Sequence, residues 1–169
     1  QSATLRESWR NARSRRRMLI YLADTVHHAR GQLNPGTVPY NVARIAAYCQ
    51  AKHPEHDYRL FKDPHVLLAS LRDERPDILA ISHYFWNTKL NHRIARYARG
   101  LYPGLTIVTG GPNLDRNDAA YRAYAEEHPY VDYVVVEEGE STLANILAGT
   151  NEGSFGVKDQ RRYPSQPRV

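Results

Sequence analysis

The sequence predicts an α/β domain, a Rossmann-like and flavodoxin-like doubly wound sheet of five parallel strands with helices on both faces. Three observations lead there. Short apolar runs alternate with segments of helical period along the whole chain. The inner runs DILAI, LTIVTG and VDYVVV are almost continuously apolar, as strands covered on both faces are. The 169 residues suit one domain that can bury a two-sided core.

The elements follow in order. RMLIYLA (17–23) is a strand, bounded by charge and by Asp24. A long irregular stretch, DTVHHARGQLNPGTVPY, leads to Pro39, where a helix begins. Val42, Ile45, Ala46 and Cys49 give that helix its apolar face. DYRLF (57–61) is a strand, and Pro64 opens a helix with Val66, Leu67, Leu68 and Leu71 on its buried side. DILAI (77–81) precedes NHRIARYARGLY, with Ile94, Ala95, Ala98 and Leu101 facing inward. LTIVTG (105–110) precedes AAYRAYAEEH, and VDYVVV (131–136) precedes STLANILAG. Residues 150–169 carry no periodic core face and read as a linker or tail.

Composition narrows the function. The net charge of +5 is uneven: residues 1–17 hold six arginines and one glutamate, and the remainder holds 17 basic and 17 acidic side chains. The basic character belongs to an N-terminal arm, suited to nucleic acid or anionic lipid or simply solvated. The folded part shows no nucleic-acid motif, so no nucleic-acid partner is expected. No apolar run approaches the ~18 residues of a membrane span, so no membrane partner is expected. A single cysteine, Cys49, forms no internal disulfide, and a cytoplasmic location is expected.

The strand-end loops carry the chemistry. SHYFWN (82–87) crowds aromatic residues, whose faces and polar tips suit a broad apolar ligand or an interface. Gly110 and Gly111 either bring backbone close to a ligand or make a tight turn. Dinucleotide and Walker phosphate motifs are absent. Glu137, Glu138 and Glu140 stand where the last helix begins and favour its dipole. His53, His56 and Asp57 imitate a metal cluster, and a solvated helix end is the expected reading. No metal-ligating or catalytic residue is assigned.

YLAD, TVPYNVARIAAYC, ISHYFWN, VTGGPN and VDYVVVEEGE together resemble the N-terminal cobalamin-binding domain of cobalamin-dependent radical S-adenosylmethionine enzymes, over residues 18 to about 148. The resemblance implies a domain at 18–149 that holds cobalamin across the carboxyl edge of its sheet and buries the nucleotide tail among the strands. It also implies a following barrel domain with S-adenosylmethionine and a [4Fe-4S] cluster, acting in methyl transfer on a small-molecule or peptide substrate.

By the same resemblance, Thr25 lies in the first loop, and Val38, Pro39, Tyr40, Asn41 and Arg44 lie where the first helix begins, under the corrin. The loop from Ser82 to Asn87 lies over the corrin side, where Ser82 donates toward the nucleotide portion or backbone and Tyr84, Phe85 and Trp86 wall the macrocycle. Gly110, Gly111, Pro112 and Asn113 approach the tail, and Glu138, Gly139 and Glu140 stand at its nucleotide end. The loop DTVHHARG lacks the DxHxxG pattern of other cobalamin domains, since Val26 stands two before His28. Histidine ligation of cobalt is therefore not expected, and base-off cobalamin is. Arg44 would keep the lower face of cobalt open, or would pair with an acidic neighbour. With Cys49 alone the chain cannot hold a CxxxCxxC cluster. Two alternatives stand beside this reading: an interaction domain that has lost its cofactor, and a flavin- or nucleotide-binding module.

Overall fold

The computed structural model describes residues 16–26, 28–29, 32–33, 39–113 and 115–165. Nine strands and five helices are defined among them. The strands are β1 (Leu19–Ala23), β2 (His28–Ala29), β3 (Gln32–Leu33), β4 (Asp57–Phe61), β5 (Ile78–Ser82), β6 (Thr106–Gly110), β7 (Tyr133–Val135), β8 (Ser154–Gly156) and β9 (Arg161–Tyr163). The helices are α1 (Tyr40–Lys52), α2 (Pro64–Asp73), α3 (Thr88–Leu101), α4 (Asp118–Glu127) and α5 (Gly139–Ala148).

The main sheet has seven strands in the order β4-β1-β5-β6-β7-β8-β9. The first five pair in parallel, as expected. β8 and β9 add on antiparallel, so the sheet is mixed rather than five-stranded and purely parallel. The stretch read as a linker thus reaches into the sheet. Gly149 ends α5 in the left-handed region at φ 80°, the chain reverses, and Phe155 and Val157 are buried on the core. Three-residue strands give too little period to be seen in sequence. Of the basic arm, only Arg16 and Arg17 are described. They pair with Asp77 and Asp57 at 3.2 and 2.7 Å.

Strand alternation builds two cores. Tyr21, Leu79, Ile81 and Ile107 point to one face, under Leu67 and Leu71 of α2, Ile94, Ala95 and Ala98 of α3, and Tyr121 and Ala125 of α4. Ile20, Leu22, Ile78 and Val108 point to the other face, under Val42, Ala46 and Cys49 of α1 and Leu143, Ile146 and Leu147 of α5. The strand order reverses between β1 and β5, the place where open α/β sheets bind ligands beyond their carboxyl ends. No helix among the described residues is long and apolar enough to cross a membrane.

Candidate functional site

The carboxyl ends of β1, β5, β6 and β7, with the first turns of α1 and α5, enclose a cleft of about 340 Å³. Its floor is the sheet itself. Ala80, Ser82, Gly110 and Val135 are only half-buried, although they sit in inner strands. Their neighbours on the opposite face, Leu79, Ile81, Thr109 and Val134, are buried. The inner sheet is therefore left uncovered at this one level, and the small residues Ala80, Ser82 and Gly110 deepen the opening. Asn41, Arg44 and Ile45 of α1 form one wall, and Glu138, Gly139, Glu140 and Leu143 form the other.

Both helices aim their N-termini at this opening, and neither is capped by a side chain. Pro39 precedes α1 and Glu138 precedes α5, and neither side chain bonds a backbone N–H. Such ends favour an anion. By contrast α2 and α4 are capped by Asp63 and Asn117. Two guanidinium groups also line the cleft. Arg44 is held 2.9 Å from Glu140 across the two helices, which offsets its charge and gives the pairing expected of it a partner on another helix. Arg116 is exposed and borders the Gly110–Pro112 turn.

The predicted residues divide. Asn41, Arg44, Ser82, Tyr84, Gly110, Gly111, Pro112, Glu138, Gly139 and Glu140 all line the cleft. Thr25 and Asn87 do not. Both are fully buried and tie loops together. Asn87 Oδ1 accepts from the Tyr84 N–H at 2.8 Å, and its Nδ2 donates to the Thr25 carbonyl at 3.0 Å. Thr25 Oγ1 donates to Asn91 Oδ1 at 2.5 Å, and Asn91 Nδ2 donates to the Ser82 carbonyl at 2.8 Å. These residues position the cleft's rim by satisfying backbone groups that burial would otherwise leave orphaned. Asn113 turns away from the cleft, its Nδ2 donating to Thr88 Oγ1 at 2.9 Å.

Tyr84 stacks on Trp86 with centroids 4.5 Å apart, and Phe85 meets Trp86 edge-on at 4.8 Å. Phe85 and Trp86 stay outside the cleft, 80% and 46% exposed, as does Tyr40 at 64%. Val38 lies outside the described residues, as does His27. Arg116, Ile45, Leu143, Val135 and Ala80 line the cleft without having been anticipated. Of these, only Ala80 carried a signal: it is the smallest side chain in an otherwise large apolar strand.

Both glycines border the cleft, and the protein's own packing requires them. Gly111 adopts φ +127°, and a Cβ there would meet the His83 carbonyl oxygen at 2.1 Å. A Cβ on Gly110 would meet Val135 Cβ at 2.8 Å. The pair is needed by the turn and by the neighbouring strands.

The helix end at His53 is also less solvated than expected. His56 is 5% exposed, and burial pushes its pKa down. Asp57 is engaged by Arg17, while His53, Glu55 and His56 bring ligand atoms within 4.8 Å of one another. Met18 N–H points at His56 Nδ1 over 3.4 Å, which leaves the proton on Nε2, the atom a metal would need.

The profile of the B12 binding domain family matches residues 31–147. The chain belongs to the B12-binding domain family. Over 123 residues this B12-binding domain is 31% identical to the cobalamin-dependent radical SAM methyltransferase TokK of Streptomyces tokunonensis, covering 67% of this chain and 18% of TokK. Over 72 residues it is 38% identical to the 2-(S-pantetheinyl)-carbapenam-3-carboxylate methyltransferase of Streptantibioticus cattleyicolor, covering 43% of this chain and 10% of that enzyme. The domain is thus related to cobalamin-dependent radical SAM methyltransferases and spans less than a fifth of either. Among solved structures, the cobalamin-dependent S-adenosylmethionine radical enzyme OxsB, with aqua-cobalamin and S-adenosylmethionine bound, shares the fold at a TM-score of 0.66 and 16% identity, covering 90% of this chain and 23% of OxsB. The REC domain of RcsB from Salmonella enterica serovar Typhimurium shares it less closely, at 0.53 and 15%, covering 79% of this chain and 91% of that one.

One electrostatic feature of this B12-binding domain lies behind the cleft. Burial drives His83 down to about 3 and His92 down to about 4, each reinforced by neighbouring imidazoles. Their ordinary value is 6.5. The unfolded chain therefore takes up protons below pH 6.5 that the folded one refuses. Stability is complete above that pH and is lost as pH falls toward 4, at about 1.4 kcal/mol per pH unit per histidine. Urea unfolding at pH 7 and pH 5 should show a loss of about 3–4 kcal/mol from the two together. His83→Phe should remove roughly half of that two-histidine loss. A pH-independent midpoint over this range would contradict the burial of both rings.

Proposed function

We propose that this domain binds cobalamin in the cleft, with the nucleotide tail among β5, β6 and β7 and the corrin across the strand ends. The cofactor would serve as methyl carrier for a cobalamin-dependent radical SAM methyltransferase. S-adenosylmethionine and a [4Fe-4S] cluster would belong to a further barrel domain, with a small-molecule or peptide substrate. The observation that carries this reading is the uncovered inner sheet, with Ala80, Ser82, Gly110 and Val135 half-exposed between α1 and α5.

The residues present fit the group. About 340 Å³ lies at the low end of the ~300–1,000 Å³ of small-molecule sites, which suits a tail rather than a whole corrinoid. The uncapped N-termini of α1 and α5, with Arg116, give the tail's phosphodiester positive partners. Tyr84 and Asn41 stand at the rim, where the ring would lie. The exposed Phe85, Trp86 and Tyr40 supply apolar cover toward the macrocycle and the barrel domain. Arg44 would stand at the lower face, with its charge offset by Glu140.

A tail lodged in the cleft cannot also reach cobalt, so the bound form should be base-off. Electron paramagnetic resonance of the cob(II)alamin complex should show no superhyperfine splitting from a nitrogen ligand. Splitting from one nitrogen would overturn either the base-off assignment or the expected lack of histidine ligation.

A further inference from the structure

Among the described residues, His83 is the buried side chain whose polar atoms go unmet. Its ring is 6% exposed, and neither Nδ1 nor Nε2 has a hydrogen-bond partner among the described residues. It follows Ser82 directly, so strand alternation turns it to the sheet face opposite the cleft. There it packs on His92 with centroids 4.5 Å apart, and His92 stacks on His128 at 3.8 Å.

A cavity of about 30 Å³ adjoins the ring. Thr88, His92, Thr109, Asn113 and Tyr124 share its wall with His83, and Gly110, Gly111, Val134 and Val135 complete it, so a few polar groups face an otherwise apolar wall. Thr109 Oγ1 and Tyr124 Oη lie 2.9 Å apart. One hydrogen serves that contact, which leaves the pair a second hydroxyl hydrogen and spare lone pairs. A neutral imidazole likewise has one N–H and one lone pair to satisfy. Left unmet, each costs about 1–3 kcal/mol. A water needs roughly 10–15 Å³ and two to four polar partners. The cavity offers both, and it is too small for anything much larger.

We propose that this cavity is a specific water-binding site, in which one ordered water bridges a ring nitrogen of His83 to the Thr109–Tyr124 hydroxyl pair. The site meets a second network through His92. Tyr130 Oη lies 2.9 Å from Nδ1 of both His92 and His128. A phenol has one hydrogen, so it donates to one imidazole and accepts from the other, and the two rings hold opposite Nδ1 states. Beyond them His128 Nε2 lies 3.8 Å from the exposed Glu127 carboxylate. The bound water thus stands at the inner end of a polar chain that starts at the surface. Burial keeps His83 neutral, as a bridge of this kind requires.

The test uses the 169-residue chain, labelled with ¹⁵N, at pH 7.5 without added ligand. Long-range ¹H–¹⁵N correlation should find His83 as a single neutral tautomer with a slowly exchanging ring N–H. A rotating-frame cross-peak from the ring, or from the Thr109 or Tyr124 hydroxyl, to a long-lived water is expected. Thr109→Val removes one partner and should speed ring N–H exchange at least tenfold, while Thr109→Ser should restore it. A high-resolution crystal structure should show density within hydrogen-bond distance of His83. A dry cavity there, or no water cross-peak in the parent protein, would overturn the proposal whether or not the variants fold.

Discussion

Replacing Ala80 with tryptophan abolishes cobalamin binding and leaves the domain folded. Ala80 sits in the middle of β5 and is half-buried on the cleft floor, so a larger side chain has open space above it rather than a packed core. Its register partners, Leu22 on β1 and Val108 on β6, give the indole an apolar bed. The cost to the free domain should therefore stay within about 1 kcal/mol, as for other substitutions that meet no packed neighbour. The same indole would fill the space proposed for the nucleotide tail. Affinity should fall at least ~100-fold, about 2.7 kcal/mol. Titration followed by visible absorption reads the affinity, and urea unfolding reads the stability. Binding within threefold of the parent protein would remove this cleft from the account.

Gly111→Val destabilises the free domain itself rather than merely emptying its cleft. At φ +127° the backbone lies where side chains bring strain of about 1–3 kcal/mol. The new Cβ would also sit 2.1 Å from the His83 carbonyl oxygen, which is backbone and has no rotamer to escape through. The His83 N–H is already committed to the Gly110 carbonyl at 2.6 Å, so the strand end cannot yield without losing that bond. A loss of about 3 kcal/mol or more in the urea unfolding of the free protein is expected. Gly100 is the control. It lies within α3 with nothing within 4 Å of its Cβ position, so Gly100→Ala should stabilise by about 0.5–1 kcal/mol. A Gly111→Val protein as stable as its parent would show that the turn tolerates a side chain.

Much of this was legible from periodicity. The five parallel strands follow from unbroken apolar runs such as DILAI, and their helices follow from spaced faces such as Leu67 with Leu71. The antiparallel pair β8 and β9 was not legible, because three residues give no period and Phe155 alone marks the core. Within the site, position along a strand end was enough to place Ser82, Tyr84 and Glu140 at the cleft. It could not tell Asn87 from Tyr84. Both belong to the same loop, and only the hydrogen bonds to Tyr84 N–H and the Thr25 carbonyl show that Asn87 is spent on backbone. Gly111 was ambiguous for a related reason: a glycine is needed wherever backbone crowds, and the sequence could not show that His83 supplies such crowding. Arg116 stood in a loop with no pattern at all, and only the fold brings it to the cleft.

The measurement that bears most directly on the central claim is cofactor retention by the chain itself. The purified protein is mixed with hydroxocobalamin, with free flavin in a parallel sample, and each is passed through a desalting column. The account predicts that the protein fraction keeps a corrinoid spectrum near one equivalent and keeps no flavin, and that the Ala80→Trp protein emerges colourless. A folded parent protein that emerges without corrinoid, or with flavin instead, would contradict it.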